Sequence, residues 1–74
     1  MPVIDMKETG KNIKEMMSLT GKSAKDIQNA CGLTTRNAVY RWMSGDAMPS
    51  IDNLVVIAFL FGTTMDQLIA VHMN

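Results

Sequence analysis

Arg36, Asn37, Tyr40 and Arg41 carry the most pointed chemistry in this chain. An Arg guanidinium is a planar fork of donors that matches guanine O6 and N7. An Asn amide offers the donor and acceptor that match adenine N6 and N7. Tyr40 and Arg41 suit a phosphate or a thymine methyl. At helical spacing Arg36, Asn37, Tyr40, Arg41 and Ser44 share one face, opposite Ala38, Val39, Trp42 and Met43. Such a helix buries one side and presents the other. Upstream, Lys22, Ser23 and Lys25 surround the start of a second short helix. Backbone N–H groups and positive charge there favour phosphate. Thr34 and Thr35 stand just before the polar-faced helix, where one caps it and either can touch phosphate.

Each residue also has a plainer reading. Arg36 and Asn37 are also ordinary solvated or capping residues of a helix start. Tyr40 is also a half-buried ring packed beside Trp42, and Lys22 and Lys25 are also simply solvated. Trp42 shares the apolar face with Val39 and reads as core. Cys31 reads as a small core residue with nothing beside it to activate it. The eight Met residues fit core stripes better than a partner groove.

No nucleophile–base pair, phosphate-cradling Gly loop or metal-ligand spacing can be drawn, and the only histidine, His72, lies near the C-terminus. Neither an enzyme, a metal site, a cofactor nor a small-molecule ligand is therefore expected. The 74 residues bound one domain, nearly half of it apolar. The longest apolar run, Leu54 to Phe61, is too short for a membrane span. One cysteine and no signal-like start point to the cytoplasm. Net charge is zero but unevenly spread. Residues 1–45 hold all seven bases and four acids, whereas residues 46–74 hold three acids and no base. That polarity hints at a polar partner for the first half.

Five helices must position these side chains. The first runs to Leu19 from about Asp5 or Thr9, with Gly10 leaving its start open, and carries the stripe Ile13, Met16, Met17. Gly21 ends it. Ser23 caps the second helix, Asp26 sits in its first turn, and Ile27, Ala30 and Cys31 point inward. Gly32 ends it in the left-handed conformation. The third spans about 35–44 and stops at Gly45. Two brief helices joined by a Gly-marked turn, over about 23–44, have the form of a helix-turn-helix. After Pro49, Ser50 caps a fourth helix, Ile51 to Phe61. Being apolar almost all round, it is expected to be the central core helix. Thr64-Met65-Asp66-Gln67 reads as a capping box for a fifth helix bearing Leu68, Ile69 and Val71.

From about Gly10 to Ile69 the chain resembles the Cro and phage-repressor, or XRE, type of helix-turn-helix regulator. The resemblance rests on Ile13 to Met16, helix two from Ser23 to Cys31, Gly32, Trp42-Met-Ser-Gly45, Pro49-Ser50, Leu54 to Phe61 and Asp66-Gln-Leu68. The chain departs from that pattern at Met17, Ala24 and Gln28, and by one extra residue between Gly32 and Gly45. Ala38-Val-Tyr-Arg-Trp42 resembles a branch with the same extra residue. The resemblance implies an all-α, five-helix, lambda-repressor-like DNA-binding domain over residues 1–74, with the helix-turn-helix in helices two and three.

The resulting expectation is a sequence-specific transcriptional regulator on double-stranded DNA, with helix three in the major groove. Arg36, Asn37 and Tyr40 would contact bases. Lys22, Ser23, Lys25, Thr34, Thr35, Arg41 and Ser44 would contact phosphates. The alternative is a protein-interaction module on the same fold, antitoxin-like or part of an assembly, as zero net charge and Ala24 suggest. A homodimer is expected through helix five and the tail, because Leu68, Ile69, Val71 and Met73 are more apolar than a chain end needs. The competing picture completes the core with Leu68 and Ile69 and lets the last residues fray.

Overall fold

The computed structural model describes all 74 residues. Five helices follow one another: α1 (Met6–Thr20), α2 (Ala24–Ala30), α3 (Asn37–Ser44), α4 (Ile51–Phe61) and α5 (Met65–Leu68). Two three-residue strands, β1 (Pro2–Ile4) and β2 (Val71–Met73), flank them. The helix starts follow capping chemistry. Asp5 accepts from the Glu8 N–H, Ser50 from Asn53 and Thr64 from Gln67. Each satisfies an N–H that the helix itself leaves free. The reciprocal Gln67 bond of the expected capping box is not made.

The core is formed by Ile13, Ile27, Val39, Trp42, Leu54, Ile57, Ala58, Phe61 and Leu68. Burying an aliphatic or aromatic side chain of this size contributes about 1.5–3 kcal/mol. The core therefore draws one or more anchors from every helix, and α3 is fixed through Val39 and Trp42.

Gly10 explains how α1 can lie against α3. A Cβ there would sit 2.5 Å from the Met43 carbonyl oxygen and 2.6 Å from that of Trp42. The glycine is buried inside α1 and is a close-approach point, not a helix start. Gly45 ends α3 at φ +81°, and a Cβ there would meet the Lys7 Cα at 2.6 Å. The first turn of α1 thus abuts the end of α3.

The structure corrects several sequence expectations. The fifth helix stops at Leu68, so Val71 belongs to no helix. The tail does not fray: β2 pairs antiparallel with β1, matching Pro2 with Met73, Val3 with His72 and Ile4 with Val71. A buried hydroxyl anchors this ribbon. Thr9 Oγ1 donates to the Asp5 carbonyl at 2.7 Å and accepts from the Ala70 N–H at 3.0 Å. Asn12 Nδ2 adds a bond to the Leu68 carbonyl at 2.9 Å. Ala30, expected inside, is exposed, because α2 ends there and Cys31 only half enters the core. The third helix starts at Asn37, not 35, and neither threonine is its N-cap. Arg36 holds that position with no side-chain cap bond, and Thr35 Oγ1 only reaches the Asn37 N–H at 3.4 Å. Finally, α4 is not covered all round: Ile51, Val55 and Phe59 are bare, Phe59 at 87% exposure.

Candidate nucleic-acid interface

The α3 face is built by its buried side. Val39 is fully buried and Trp42 nearly so, while Ala38 and Met43 are partly covered. Because a helix repeats every 3.6 residues, that anchoring turns Asn37, Tyr40, Arg41 and Ser44 to solvent. All four are exposed, as is Arg36 just before the helix. Tyr40 has 51% of its surface open, which leaves half of the side chain available to a partner.

Arg36 is not a freely swinging side chain. Its Nε donates to Gln28 Oε1 at 3.1 Å, and Gln28 Nε2 donates to the Leu33 carbonyl at 3.3 Å. One α2 side chain thereby ties the turn and the start of α3 together, and the bond leaves the Nη groups of the exposed Arg36 unused. Sequence reasoning noticed Gln28 only as a departure from the family pattern. No sequence signal marks the bond, because it depends on how the turn between α2 and α3 folds back.

At the start of α2, Ser23 and Asp26 complete a capping box: Ser23 Oγ accepts from the Asp26 N–H at 3.2 Å, and Asp26 Oδ2 accepts from the Ser23 N–H at 2.8 Å. The Ser23 N–H first and the Ser23 hydroxyl second, helped by the charges of Lys22 and Lys25, hold the Asp26 carboxyl below its ordinary range. Lys22 and Lys25 are exposed and make no ion pair. Thr34 and Thr35 are exposed in the turn between α2 and α3.

Ser44 lies at the far end of α3 in a different setting. Its Oγ is 3.0 Å from the Asp46 carboxylate and 3.1 Å from the Arg41 carbonyl. Lys7 Nζ reaches the Ser44 carbonyl at 3.5 Å. The structure thus brings Arg36, Asn37, Tyr40 and Arg41 onto one surface, with Thr34 and Thr35 at its leading end. Ser44 sits beside a negative charge.

Other chemistry is sparse. The half-buried Cys31 thiol is pushed up by burial, away from the reactive thiolate. No group of three His, Cys, Asp or Glu could hold a metal ion, and no helix is long and apolar enough to cross a membrane. A cleft of about 230 Å³, lined by Asn12, Glu15, Met16, Thr63 and Gln67, shares no residue with the α3 surface.

A family model described as helix-turn-helix, of the Cro/C1 or XRE type, matches residues 13–68. No curated protein and no solved structure matches the chain.

Proposed function

We propose that this chain, which belongs to that helix-turn-helix family of DNA-binding regulators, is a sequence-specific transcriptional regulator that lays α3 in the DNA major groove. The chain then acts as one binding module over residues 1–74, working in the cytoplasm. The observation that carries this reading is the division of α3. A buried Val39–Trp42 side fixes the helix, and an exposed Arg36–Asn37–Tyr40–Arg41 side faces out.

Arg36, Asn37 and Tyr40 read base edges. Arg36 enters with its Nε already bonded to Gln28, so its Nη groups meet guanine with less freedom to lose. Lys22, Ser23, Lys25, Thr34, Thr35 and Arg41 hold phosphates and set the helix's register. Ser44 belongs to the same set only if Asp46 gives up its hydroxyl. The segment from Lys22 to Ser44 holds four bases and one acid, which supports an anionic partner despite zero net charge.

Two copies act together. One module reads about half a site, and two recognition helices roughly 34 Å apart read a full operator. The C-terminal tail supplies the pairing surface.

A second reading keeps the fold and gives the α3 face to a protein. Zero net charge and Ala24 favour it, as do the bare α4 side chains Ile51, Val55 and Phe59. Retention on non-specific DNA at low salt separates the two. Binding that weakens steeply as salt rises supports the regulator, and no retention supports the protein module.

A further inference from the structure

We propose that Lys7, Lys11 and Lys14 on α1 form a second phosphate-binding stripe, which holds a run of the DNA backbone separate from the one held at the start of α2. This rests on the reading that α3 meets DNA, and it adds to that site an element outside the helix-turn-helix.

The seven bases of the chain fall into two groups. Lys22, Lys25, Arg36 and Arg41 lie between the start of α2 and the end of α3. The other three all lie on α1, at spacings of four and then three residues. Helix residues so spaced share one face, so the three ammonium groups form one line. All three side chains are exposed.

Gly10 fixes where that line runs. A Cβ there would point at the Met43 and Trp42 carbonyl oxygens, so its direction is the direction of α3. At about 100° per residue, Lys14, Lys7 and Lys11 come off α1 roughly 40°, 60° and 100° to one side of Gly10. The fully buried Ile13 comes off roughly 60° to the other side. The contact with α3 therefore runs between the core and the lysines, and the lysines border α3 from the solvent side. Glu8 and Glu15 come off roughly 140–160° from Gly10, beyond the lysines and farther from α3.

Contacts at the end of α3 agree with this placement. A Cβ on Gly45 would meet the Lys7 Cα and Cγ, and Lys7 Nζ reaches the Ser44 carbonyl at 3.5 Å. The first lysine of the line thus stands at the last turn of the face that carries Asn37, Tyr40 and Arg41. Its bond to Ser44 uses at most one of three ammonium donors. No carboxylate pairs with Lys7 or Lys14, and Lys11 meets only the exposed Glu8, at 3.6 Å. A pair that open holds its partners weakly. The line spans about 10 Å along α1, enough to face several phosphates of one strand. Point charges on flexible stems suit the phosphate backbone, which needs no shaped pocket.

The test is binding of the full chain, at stepped salt, to a duplex selected from random DNA in which single phosphates are replaced in turn by neutral methylphosphonates. In wild type, neutral phosphates weaken binding along two separate runs. In the Lys7→Gln/Lys14→Gln variant one run falls silent, and the slope of log K against log[salt] flattens by about 1.8, two contacts at about 0.9 each. In Lys22→Gln/Lys25→Gln the other run falls silent. Lys7→Arg/Lys14→Arg keeps the slope and both runs, which separates lost charge from altered fold. A Lys7→Gln/Lys14→Gln variant with the wild-type slope and both runs overturns the stripe and leaves DNA binding through α3 standing. So does silencing of one and the same run by both pairs of Gln substitutions, or a flattened slope in the Arg variant. A wild-type chain that binds no duplex at low salt sinks the DNA reading itself, and the stripe with it.

Discussion

Arg36 Nε and Gln28 Oε1 are 3.1 Å apart, which makes the residue opening α3 a partner of mid-α2. The bond uses one of the five guanidinium donors and sets the plane in which the others lie. An arginine so held loses less freedom when it meets a base pair. Arg36→Ala is expected to relax preference at one base pair and to cost about 1–3 kcal/mol in site affinity. Gln28→Leu removes the support and keeps the fold. It should give a smaller loss at the same base pair, seen when both variants are run through site selection from random DNA. Loss at different base pairs would separate Gln28 from Arg36.

Gly10 tests the link between α1 and the α3 surface. Gly10→Ala places a Cβ against the Met43 and Trp42 carbonyl oxygens, both backbone atoms that cannot swing away. Overpacking of this kind costs about 1–3 kcal/mol. The check is denaturant unfolding, where the midpoint should fall. A midpoint equal to wild type would mean that α1 and α3 are not this close.

The lysines at the start of α2 act through charge. Lys22→Ala and Lys25→Ala should each weaken binding to all sequences alike. Each should also flatten the slope of log K against log[salt] by about 0.9. Titrations at several salt concentrations measure this. An unchanged slope in both variants would leave them as solvated lysines.

Acid should loosen the caps in a predictable direction. Asp5 is held below its ordinary 3.8 chiefly by the Glu8 N–H, and Asp26 by its bonds with Ser23. Both pKa values are depressed on folding. Their stabilisation is therefore complete above about pH 3.8 and is lost as pH falls through the lower folded values. Asp26→Asn should flatten the acid limb of a stability–pH curve by lowering stability at neutral pH, where the ionised carboxyl acts, and by changing it little in acid. Ser23→Ala should cost about 1 kcal/mol at neutral pH. An acid limb in Asp26→Asn as steep as in wild type would put the pH dependence elsewhere.

The legible parts of this fold are those where one residue type has one cheap use. Ser23, Ser50 and Thr64 mark helix starts because their oxygens satisfy free N–H groups. The α3 faces are legible because a single 3.6-residue period divides Val39 and Trp42 from Arg36 and Tyr40. The ribbon is not legible, because each strand is three residues long and its partner lies at the other end of the chain. Leu68, Ile69 and Val71 fit a helix equally well by local pattern. The seven-residue α2 with its exposed Ala30 shows the same limit, since spacing alone cannot say where a short helix stops. In α4 the opposite failure occurs. An unbroken apolar run reads as fully buried, but one chain covers only the side with Leu54, Ile57, Ala58 and Phe61. Of the candidate site, the exposure of Arg36, Asn37, Tyr40 and Arg41 was legible. The Gln28–Arg36 bond and the Asp46 beside Ser44 were not, because both depend on how the turn folds back.

The most direct measurement is equilibrium binding of the full chain to a duplex selected from random DNA, read by fluorescence anisotropy at stepped salt, with Arg36→Ala and Asn37→Ala beside wild type. The account predicts binding to the selected duplex that weakens as salt rises. Each variant should lose about 1–3 kcal/mol on that duplex while keeping its helical content and its low-salt affinity for unrelated DNA. Absence of binding at low salt, binding indifferent to salt, or variants that bind the selected duplex as wild type does would contradict it.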